Sequence, residues 1–461
     1  MRLKETPEDF RVRELLDFPT VASGEHVVHL LHKEKLSTPE ALAMVVQETG
    51  VDRAGIAYAG LKDRQAITDQ YISIAGRAVE VSKPHLRLTP VGRTDRPITS
   101  RMSRGNAFAI VVRDLRPTEA AQLRRNLPSL QKTGFPNYFD DQRFGSLRHG
   151  QGFPMLHIVR GDFELALRRL IATPSPVAIS GDVKLKRALH ARWGNWDACR
   201  DLARGPIWQS LFGWLQQHPD DFRAAIEHLP LRQRVIHAFA FQSVLWNRAV
   251  SSLLRGGVGS AQRVRIRTLA GDLIGWKYLD PDREQKLVAM RTPLYGPDGD
   301  GGSEPFAHAM AGVLDELRLH RDDFLRNQIP GMIWKEEPRE VLIKPQDLAD
   351  VTIAPDEMHD GRVAATLSFS LPRGAYATMM LKRLLAPMWY PRAADGTPLP
   401  PGGGFGGAPP RSFRDSRPMP PRREQAVPRT GSAAAAGAGA GADDDQRVEP
   451  AWSPDDEDFE S

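Results

Sequence analysis

The sequence of 461 residues contains a single cysteine, Cys199. One cysteine excludes an intramolecular disulfide framework and any zinc site built from several cysteines, and it is typical of a reducing compartment. No stretch approaches the roughly 18 consecutive apolar residues that a membrane-spanning helix needs, and the first eight residues lack the apolar core of a signal peptide. We therefore predict a soluble, cytoplasmic protein with no membrane association.

Several common catalytic motifs are also absent. The sequence has no Gly-x-x-x-x-Gly-Lys-Ser/Thr loop, no Gly-x-Ser-x-Gly elbow and no His-Glu-x-x-His helix, so nucleotide hydrolases, serine esterases and zinc proteases lose their usual support. The histidines of GEHVVHLLHK, at 26, 29 and 32, are a possible ligand cluster. The paired Val and Leu residues favour a strand, which would turn His29 away from the other two. We interpret these histidines as structural or RNA-facing and predict no metal.

The charge is distributed unevenly along the chain. The net charge is +5, but residues 391–461 hold 8 Lys+Arg and 12 Asp+Glu, which leaves 54 Lys+Arg and 45 Asp+Glu in the first 390 residues. Clustered basic charge attracts phosphate backbones because binding releases condensed counterions. A polyanionic partner is therefore plausible from charge, although charge does not identify it.

The clearest boundary in the sequence lies near residue 391. In residues 391–461, 22 of 71 positions are Gly or Pro, and an arginine-containing block precedes an acidic end. Such a composition buries too little apolar surface to offset the loss of chain entropy on folding. We predict a disordered tail over 391–461, either without a specific role or with an arm that touches RNA.

Before residue 391, strand and helix patterns alternate without the regular order of a doubly wound sheet. Thr38-Pro39-Glu40 predicts the start of a helix that ends at Gly50, with Thr38 as a capping residue. A longer helix is predicted over about 233–254, with Ile236 among its core-facing residues. Strands are predicted at 70–75, 107–115, 264–269 and 363–371. This mixture predicts the α+β class.

One turn presents a carboxylate between two cations. The segment IAYAGLKDRQAITDQYISI predicts a short strand, a polar turn containing Lys62, Asp63 and Arg64, and a second strand. Neighbouring cations favour the ionised form of Asp63 and make it a candidate nucleophile. From the charge pattern alone, a solvated turn without function is the preferred interpretation of these residues.

Five segments together carry a resemblance to a known family. They are PEDFRVRE at 7–14 preceded by Lys4, GLKDRQAIT around Asp63, RGNAFAIVVRDL at 104–115, GFPNYFDDQRFG at 134–145 and LPRGAYATMMLKRLL at 371–385. In this order they resemble the motifs of the TruD family of tRNA pseudouridine synthases. The segment from about 153 to 340 resembles the family only loosely.

The resemblance implies that Asp63 is the catalytic aspartate of an isomerase that needs no cofactor. In this reaction the bond from C1′ to N1 of a uridine breaks, the uracil rotates, and C5 joins C1′. The aspartate either attacks C1′ or promotes elimination to a glycal, and the sequence leaves both routes open. Arg143 and Lys4 are candidates for cations near the target phosphate or the carboxylate. We expect Lys62 on the exterior of the turn.

The resemblance also assigns residues that hold the nucleotide. A base that leaves the RNA stack needs flat apolar surfaces and a few base-edge hydrogen bonds. The family implies that Phe10 and Tyr376 contact the flipped nucleotide, that Asn137 offers amide groups, and that Phe139 stacks on the uracil. Without the resemblance, core packing would explain these aromatic residues, and a turn would explain Asn137.

Two departures from the family pattern affect substrate choice. Asp140 stands where the family usually has glycine, and its carboxylate is expected either to repel phosphate or to bind Arg143. Around residues 334–339, the family's Arg-Arg stretch is poorly reproduced.

The sequence therefore predicts a pseudouridine synthase fold with a mixed, largely antiparallel sheet and flanking helices. We expect residues 1–152 and 341–390 to form the catalytic domain, 153–340 an inserted α/β TRUD domain, and 391–461 the disordered tail. The expected function is isomerisation of tRNA uridine, by family expectation uridine-13, by a monomer without metal or cofactor. The alternatives are a catalytically inactive RNA-binding or RNA-remodelling protein of the same fold, and a hydrolase that uses Asp63 to release the base.

Overall fold

A computed structural model describes residues 1–144, 152–173 and 180–386. The tail predicted for 391–461 lies outside the described residues.

A ten-stranded sheet forms the centre of the structure. Eight strands follow one another in the order β15-β16-β8-β2-β5-β3-β7-β6, while β1 pairs with β8 and β4 pairs with β5. All of these pairs are antiparallel except β2 with β5. The strands of this sheet are β1 (Arg2–Leu3), β2 (Phe10–Leu16), β3 (His26–Glu34), β4 (Ile56–Tyr58), β5 (Ile67–Ala75), β6 (Val81–Lys83), β7 (Leu86–Thr94), β8 (Ser103–Leu115), β15 (Thr352–Pro355) and β16 (Val363–Pro372).

Three two-stranded sheets and the helices complete the described structure. The pairs are β9 (Phe135–Pro136) with β14 (Leu342–Ile343), β10 (Arg263–Thr268) with β11 (Gly271–Trp276), and β12 (Arg291–Pro293) with β13 (Pro338–Glu340). The helices are α1 (Thr38–Thr49), α2 (Pro117–Thr133), α3 (Pro154–Val159), α4 (Phe163–Ile171), α5 (Ser180–Ala191), α6 (Trp196–Leu202), α7 (Pro206–Gln217), α8 (Phe222–Glu227), α9 (Leu231–Gly257), α10 (Pro281–Ala289), α11 (Glu304–Leu317), α12 (Arg321–Arg326) and α13 (Ala377–Leu384). The predicted α+β class with a mixed, largely antiparallel sheet is confirmed.

Helix α1 starts one residue earlier than its predicted cap. Ser37 is the N-cap, because its hydroxyl accepts from the amide of Glu40 while the Glu40 carboxylate accepts from the amide of Ser37. The hydroxyl of Thr38 instead donates to Gln70 Oε1 at 3.0 Å. Gly50 ends the helix in the left-handed conformation, with φ of 66°. The predicted end is confirmed, and the predicted cap at Thr38 is wrong.

Helix α9 is longer than its predicted bounds. It covers Leu231–Gly257, and its buried residues begin at Ala238. Ile236 was predicted to face the core, but 38% of it is exposed. This prediction is wrong because the first two turns extend beyond the region where neighbouring elements cover the helix.

The strand pattern places a row of polar side chains on one face of the central sheet. Residues opposite each other in neighbouring strands share a face, and Thr68 lies opposite Val12 of β2 and opposite Lys33 of β3. Because alternate residues also share a face, Glu14 and Gln70 belong to the same side. All four polar residues are buried.

Helices α1 and α2 pack on that same face, to either side of the polar row. The cluster that contains α1 joins Leu42 to Leu31 and Ile72, whereas the cluster that contains α2 joins Leu123 to Ile110. The central strands β2 and β5 therefore carry their polar residues between two apolar regions. No helix within the described ranges is both long and apolar enough to cross a membrane.

Truncating a buried leucine of α1 tests this packing. Leu42 is fully buried, so we expect Leu42→Ala to lower the free energy of unfolding by about 3 kcal/mol through lost transfer energy and a cavity. Leu325→Ala is the matched control, because Leu325 lies on helix α12 and is 40% exposed. Urea unfolding of the full chain should show a small change for the control. Equal effects of the two substitutions would contradict the proposed packing.

Candidate active site

The loop that carries Asp63 connects β4 to β5 and folds back along the sheet. The carbonyl of Gly60 accepts from Gln70 Nε2 at 2.5 Å, and the amide of Lys62 donates to the hydroxyl of Thr38 at 3.0 Å. The amide of Gln65 donates to Asp63 Oδ1 at 3.0 Å. These contacts fix the loop on both sides of Asp63, and a quarter of the Asp63 side chain stays exposed.

Lys4 provides the charged partner of Asp63. Its Nζ donates to Asp63 Oδ2 and lies 4.3 Å from the ring centroid of Phe10. The backbone of Lys4 is in the left-handed region, with φ of 55°, which is uncommon for a residue other than glycine and often occurs where function constrains the chain. The structure therefore brings three sequence-predicted residues together: Lys4, Phe10 and Asp63.

A second lysine, Lys33, supports the backbone of the same loop. Its Nζ donates to the carbonyl of Leu36 at 2.7 Å and to the carbonyl of Asp63 at 3.0 Å. Lys33 is fully buried, and burial lowers its pKa to about 8 although the charge of Asp63 opposes this shift. Sequence reasoning missed Lys33. The sequence did contain a signal for it: Lys33 is two residues after Leu31 in a predicted strand, so its side chain is expected on the same, core-facing side of the sheet.

The predicted place of Lys62 is wrong. We expected it on the exterior of the turn, but its Nζ lies 2.6 Å from Oε1 of Glu14, whose side chain is fully buried. The other oxygen of Glu14 accepts from the amide of Tyr71 at 2.9 Å. Lys62 points inward because the loop lies against β2 instead of projecting into solvent. Arg64 is the exposed cation of this turn, and it pairs with Glu40 at 3.2 Å.

The electrostatic surroundings keep Asp63 ionised. Burial alone would raise the pKa of Asp63, but the charge and hydrogen bond of Lys4 outweigh that effect. The amide of Gln65 and the charge of Lys33 act in the same direction, and the pKa lies below its ordinary value. A partly exposed, ionised carboxylate that is held by a lysine suits nucleophilic attack or proton abstraction.

Lys4, Phe10 and Asp63 form the first group of predicted residues. Asn137, directly after β9, belongs to a second group. The pairing of β9 with β14 sets its position. Asn137 Nδ2 donates to the carbonyl of Glu340 at 3.0 Å, and its Oδ1 accepts from Arg339 Nη2 at 2.8 Å. Arg339 therefore fixes the orientation of the Asn137 amide. One amide hydrogen and one oxygen lone pair remain for another partner.

Phe139 and Tyr376 belong to this second group. Their ring centroids are 6.3 Å apart, and the Phe139 centroid is also 5.7 Å from that of Trp246. The guanidinium carbon of Arg339 lies 3.9 Å from the Phe139 centroid. Asn247 of α9 brackets the Phe139 backbone, accepting from its amide at 2.9 Å and donating to its carbonyl at 2.8 Å.

Sequence reasoning missed Arg339, which connects the members of this group. It lies in the stretch 334–339 that departs from the family pattern, so the motif comparison did not select it.

Arg143 lies with the second group and not at the carboxylate. Its Nε donates to Ser243 Oγ at 3.3 Å, and its guanidinium carbon is 5.6 Å from the Phe239 ring centroid. The charge of Arg143 acts on Tyr376, where burial raises the phenol pKa and the two neighbouring arginines oppose the rise. Lys4 and Arg143 were both proposed as cations near the Asp63 carboxylate or a phosphate, and of the two it is Lys4 that contacts this carboxylate.

The carboxylate of Asp140 neither contacts the Arg143 guanidinium nor stands unpaired. Its carboxylate accepts from Lys382 Nζ and from the hydroxyl of Thr378, both on α13. Burial alone would raise the pKa of Asp140, but Lys382 and Thr378 lower it. Lys382 also contacts Asp141 at 2.6 Å. The expectation that Asp140 would bind Arg143 or repel phosphate is wrong, because Lys382 neutralises it inside the protein.

A row of aromatic rings starts at Phe10 and crosses the sheet face. Phe10 contacts Phe108 with centroids 6.1 Å apart, and Phe108 stacks on Phe369 at 5.4 Å. Strand β16, which contains Phe369, ends at Pro372 and leads to Tyr376. Among the residues that the structure describes, no contact joins Asp63 directly to Asn137 or Phe139.

The described ranges contain no group of three or more His, Cys, Asp or Glu side chains arranged to hold a metal ion. His26, His29 and His32 lie on strand β3, as predicted. His29 is buried and bonds the backbone of Val27 and Val79, at 3.0 and 3.2 Å, which makes it structural.

Comparison with known proteins gives consistent results. Residues 1–384 match the family model described as tRNA pseudouridine synthase D (TruD). The tRNA pseudouridine synthase D of Leptospira interrogans is 28% identical over 396 residues, covering 83% of this chain and 95% of the relative. The protein of the same name from Aquifex aeolicus is 26% identical over 392 residues, covering 83% and 98%.

A solved structure supports the fold. The crystal structure from Methanosarcina mazei named for tRNA pseudouridine synthase D (TruD) superposes with a TM-score of 0.64. It is 24% identical and covers 83% of this chain and 93% of that one.

Replacing Lys4 tests its electrostatic role. We expect Lys4→Met to raise the pKa of Asp63, because burial then acts without its main opposing charge. The measurement is a pH titration of carboxyl ¹³C shifts in aspartate-labelled protein, with the Asp63 signal assigned from an Asp63→Asn sample. Lys4→Arg keeps the charge and should keep the pKa low. An unchanged pKa in Lys4→Met would show that other groups hold the carboxylate.

The sign of the accompanying stability change follows from the lowered pKa. A carboxyl whose pKa falls on folding stabilises the folded state above its unfolded pKa, and this contribution disappears as the pH falls through the folded pKa. Lys4→Met should therefore reduce stability at neutral pH and flatten its dependence on pH in the acid range.

Replacing Lys382 tests the buried pair with Asp140. We expect Lys382→Met to lower the free energy of unfolding by about 3 to 5 kcal/mol, because it leaves Asp140 buried without a counter-charge. Adding Asp140→Asn should recover part of that loss. Lys83→Met is the control, since Lys83 pairs with Glu48 at the surface and should contribute about 1 kcal/mol or less. The free energies of unfolding are measured in urea. If the effects of Lys382→Met and Asp140→Asn were additive, the two residues would not be coupled and the proposed pair would be disproved.

Proposed function

The chain belongs to the TruD family of tRNA pseudouridine synthases, and from this premise we propose that it isomerises a uridine of tRNA to pseudouridine with Asp63 as the catalytic aspartate. The observation that carries this proposal is the ionised, partly exposed carboxylate of Asp63, which is fixed by Lys4 beside the ring of Phe10. The family expectation of uridine-13 as the target is part of the proposal.

The proposed reaction balances without any added group. The bond from C1′ to N1 breaks, the uracil turns, C5 forms the new bond to C1′, and the proton on C5 is replaced by one on N1. Asp63 either adds to C1′ or removes a sugar proton to give a glycal, and both routes need its ionised form. The lowered pKa supports either role at neutral pH.

We assign the uracil to the second group of residues. Phe139 and Tyr376 offer aromatic surface, and Asn137 has one amide hydrogen and one lone pair left for a base edge. Phe10 would contact the same nucleotide from the Asp63 side. The ring contacts from Phe10 through Phe108 to Phe369 support this placement, because Phe369 lies on β16, the strand that leads to Tyr376.

The remaining expectations complete the proposal. We propose that the protein acts in the cytoplasm as a monomer, and that the reaction needs no metal or cofactor. The catalytic domain would consist of residues 1–152 and 341–390, with 153–340 inserted between them.

An Asp63→Asn variant tests the function. Incubated with unmodified tRNA, the wild type should produce pseudouridine, detected by carbodiimide-dependent stops of reverse transcription. Asp63→Asn should lose about a thousand-fold or more of the rate, because the amide cannot act as nucleophile or base. Asp95→Asn, an exposed aspartate on the same half of the chain, is the matched control and should keep the wild-type rate.

Two other outcomes would contradict the proposal. Tight tRNA binding by the wild type without any pseudouridine would indicate an RNA-binding protein of the same fold. Release of free uracil with an abasic site would indicate a hydrolase.

A further inference from the structure

Among the described residues, no carboxylate forms an ion pair with Arg339. Its Nε donates to the carbonyl of Asn137 at 2.8 Å, and its Nη2 donates to Asn137 Oδ1 and to the carbonyl of Gly374. All three acceptors are neutral oxygens. The third nitrogen, Nη1, has no described partner, so its two hydrogens are available to another group.

Arg143 has even fewer partners. The only hydrogen bond described for its side chain runs from Nε to Ser243 Oγ, which leaves both terminal nitrogens without a described partner. Its charge also lies over the ring of Phe239, and Lys335 Nζ approaches the same ring to 5.1 Å. The terminal nitrogens of Arg143 are therefore free to bind an anion.

Arg143 and Arg339 contact neighbouring turns of the same helix, since Arg143 binds Ser243 Oγ of α9 and the guanidinium carbon of Arg339 lies 5.4 Å from the Trp246 ring centroid of α9. The pKa of Arg339 is lowered to about 10, chiefly by burial and also by the charge of Arg143. Burial also lowers the pKa of Arg143. Two partly buried like charges raise the free energy of the unliganded protein, and an anion between them would remove that cost.

The nearby carboxylates already have other partners. Glu340 pairs with Arg291 at 2.8 Å, and Glu337 pairs with Lys335 at 3.4 Å. Asp140 pairs with Lys382. Within the part of the chain that the structure describes, none of these carboxylates forms an ion pair with Arg143 or Arg339, although the charges of Glu337 and Glu340 act on them from further away.

We propose that Arg143 and Arg339 form a binding subsite for one backbone phosphate of the RNA, next to the uridine held by Phe139 and Tyr376. This inference rests on the proposed function. A guanidinium presents paired N–H donors that match phosphate oxygens. Arg339 also contacts Phe139 and Asn137, so phosphate binding would be coupled to the orientation of the base pocket.

Replacement of single phosphates in the RNA tests this subsite. The probe is a tRNA in which one uncharged methylphosphonate replaces the phosphate on the 5′ or the 3′ side of the target uridine. We expect one of the two replacements to weaken wild-type binding about tenfold, and to weaken binding of Arg143→Met by less than twofold. Arg143→Met is the primary variant because its single bond to Ser243 makes misfolding improbable, and Arg339→Lys is the second.

The salt dependence of binding gives an independent readout. Loss of one phosphate contact should reduce the slope of log affinity against log salt by about 1. Arg143→Met should show this change, while Arg283→Met should not, since Arg283 is exposed and lies near Asp280 on α10. A purely structural effect would weaken binding without changing the slope.

The outcomes separate this inference from the proposed function. If the wild type forms no pseudouridine in the same samples, the proposed function fails. If pseudouridine forms but both methylphosphonates weaken Arg143→Met and wild type equally, the subsite is overturned and the function stands. If Arg283→Met reduced the salt slope as much as Arg143→Met, the subsite would also be overturned, because the change would then reflect the loss of any positive charge.

Discussion

The ion pair between Lys4 and Asp63 is the interaction on which the candidate active site depends. It joins the end of β1 to the loop before β5, across 59 residues of sequence, and Lys4 makes it from a left-handed backbone conformation. Burial alone would favour the protonated, unreactive form of Asp63, and Lys4 reverses that preference. The buried pair of Glu14 with Lys62 and the contacts of Lys33 with loop carbonyls keep the carboxylate in reach of Lys4.

The nucleotide-binding residues depend on a different kind of contact. Segments more than 200 residues apart meet where Arg339 binds Asn137 and where Lys382 of α13 binds Asp140. The first contact orients an amide and supports the ring of Phe139, while the second fixes α13, whose first turn follows Tyr376. Charges inside the protein therefore position neutral groups that are proposed to hold the base.

The fold class and the family motifs could be predicted from the sequence. Alternation in β16 and the stop at Gly50 are local signals, and the motif around Asp63 is specific. The direction of Lys62 was not predictable, because a charge in a turn does not show which side of the loop faces the sheet. The partner of Asp140 lies on α13, 242 residues away. Arg339 was missed because its segment departs from the family pattern, although it contacts both Asn137 and Phe139.

The central claim is that Asp63 meets the sugar of a flipped uridine whose base lies against Phe139. The most direct measurement is the structure of the Asp63→Asn variant bound to unmodified tRNA, because this variant should retain the substrate. The account predicts that the side chain at position 63 lies about 3 to 3.5 Å from C1′ of the target uridine, with the uracil against Phe139. A target uridine that stays stacked in the RNA, or that binds away from position 63, would contradict it.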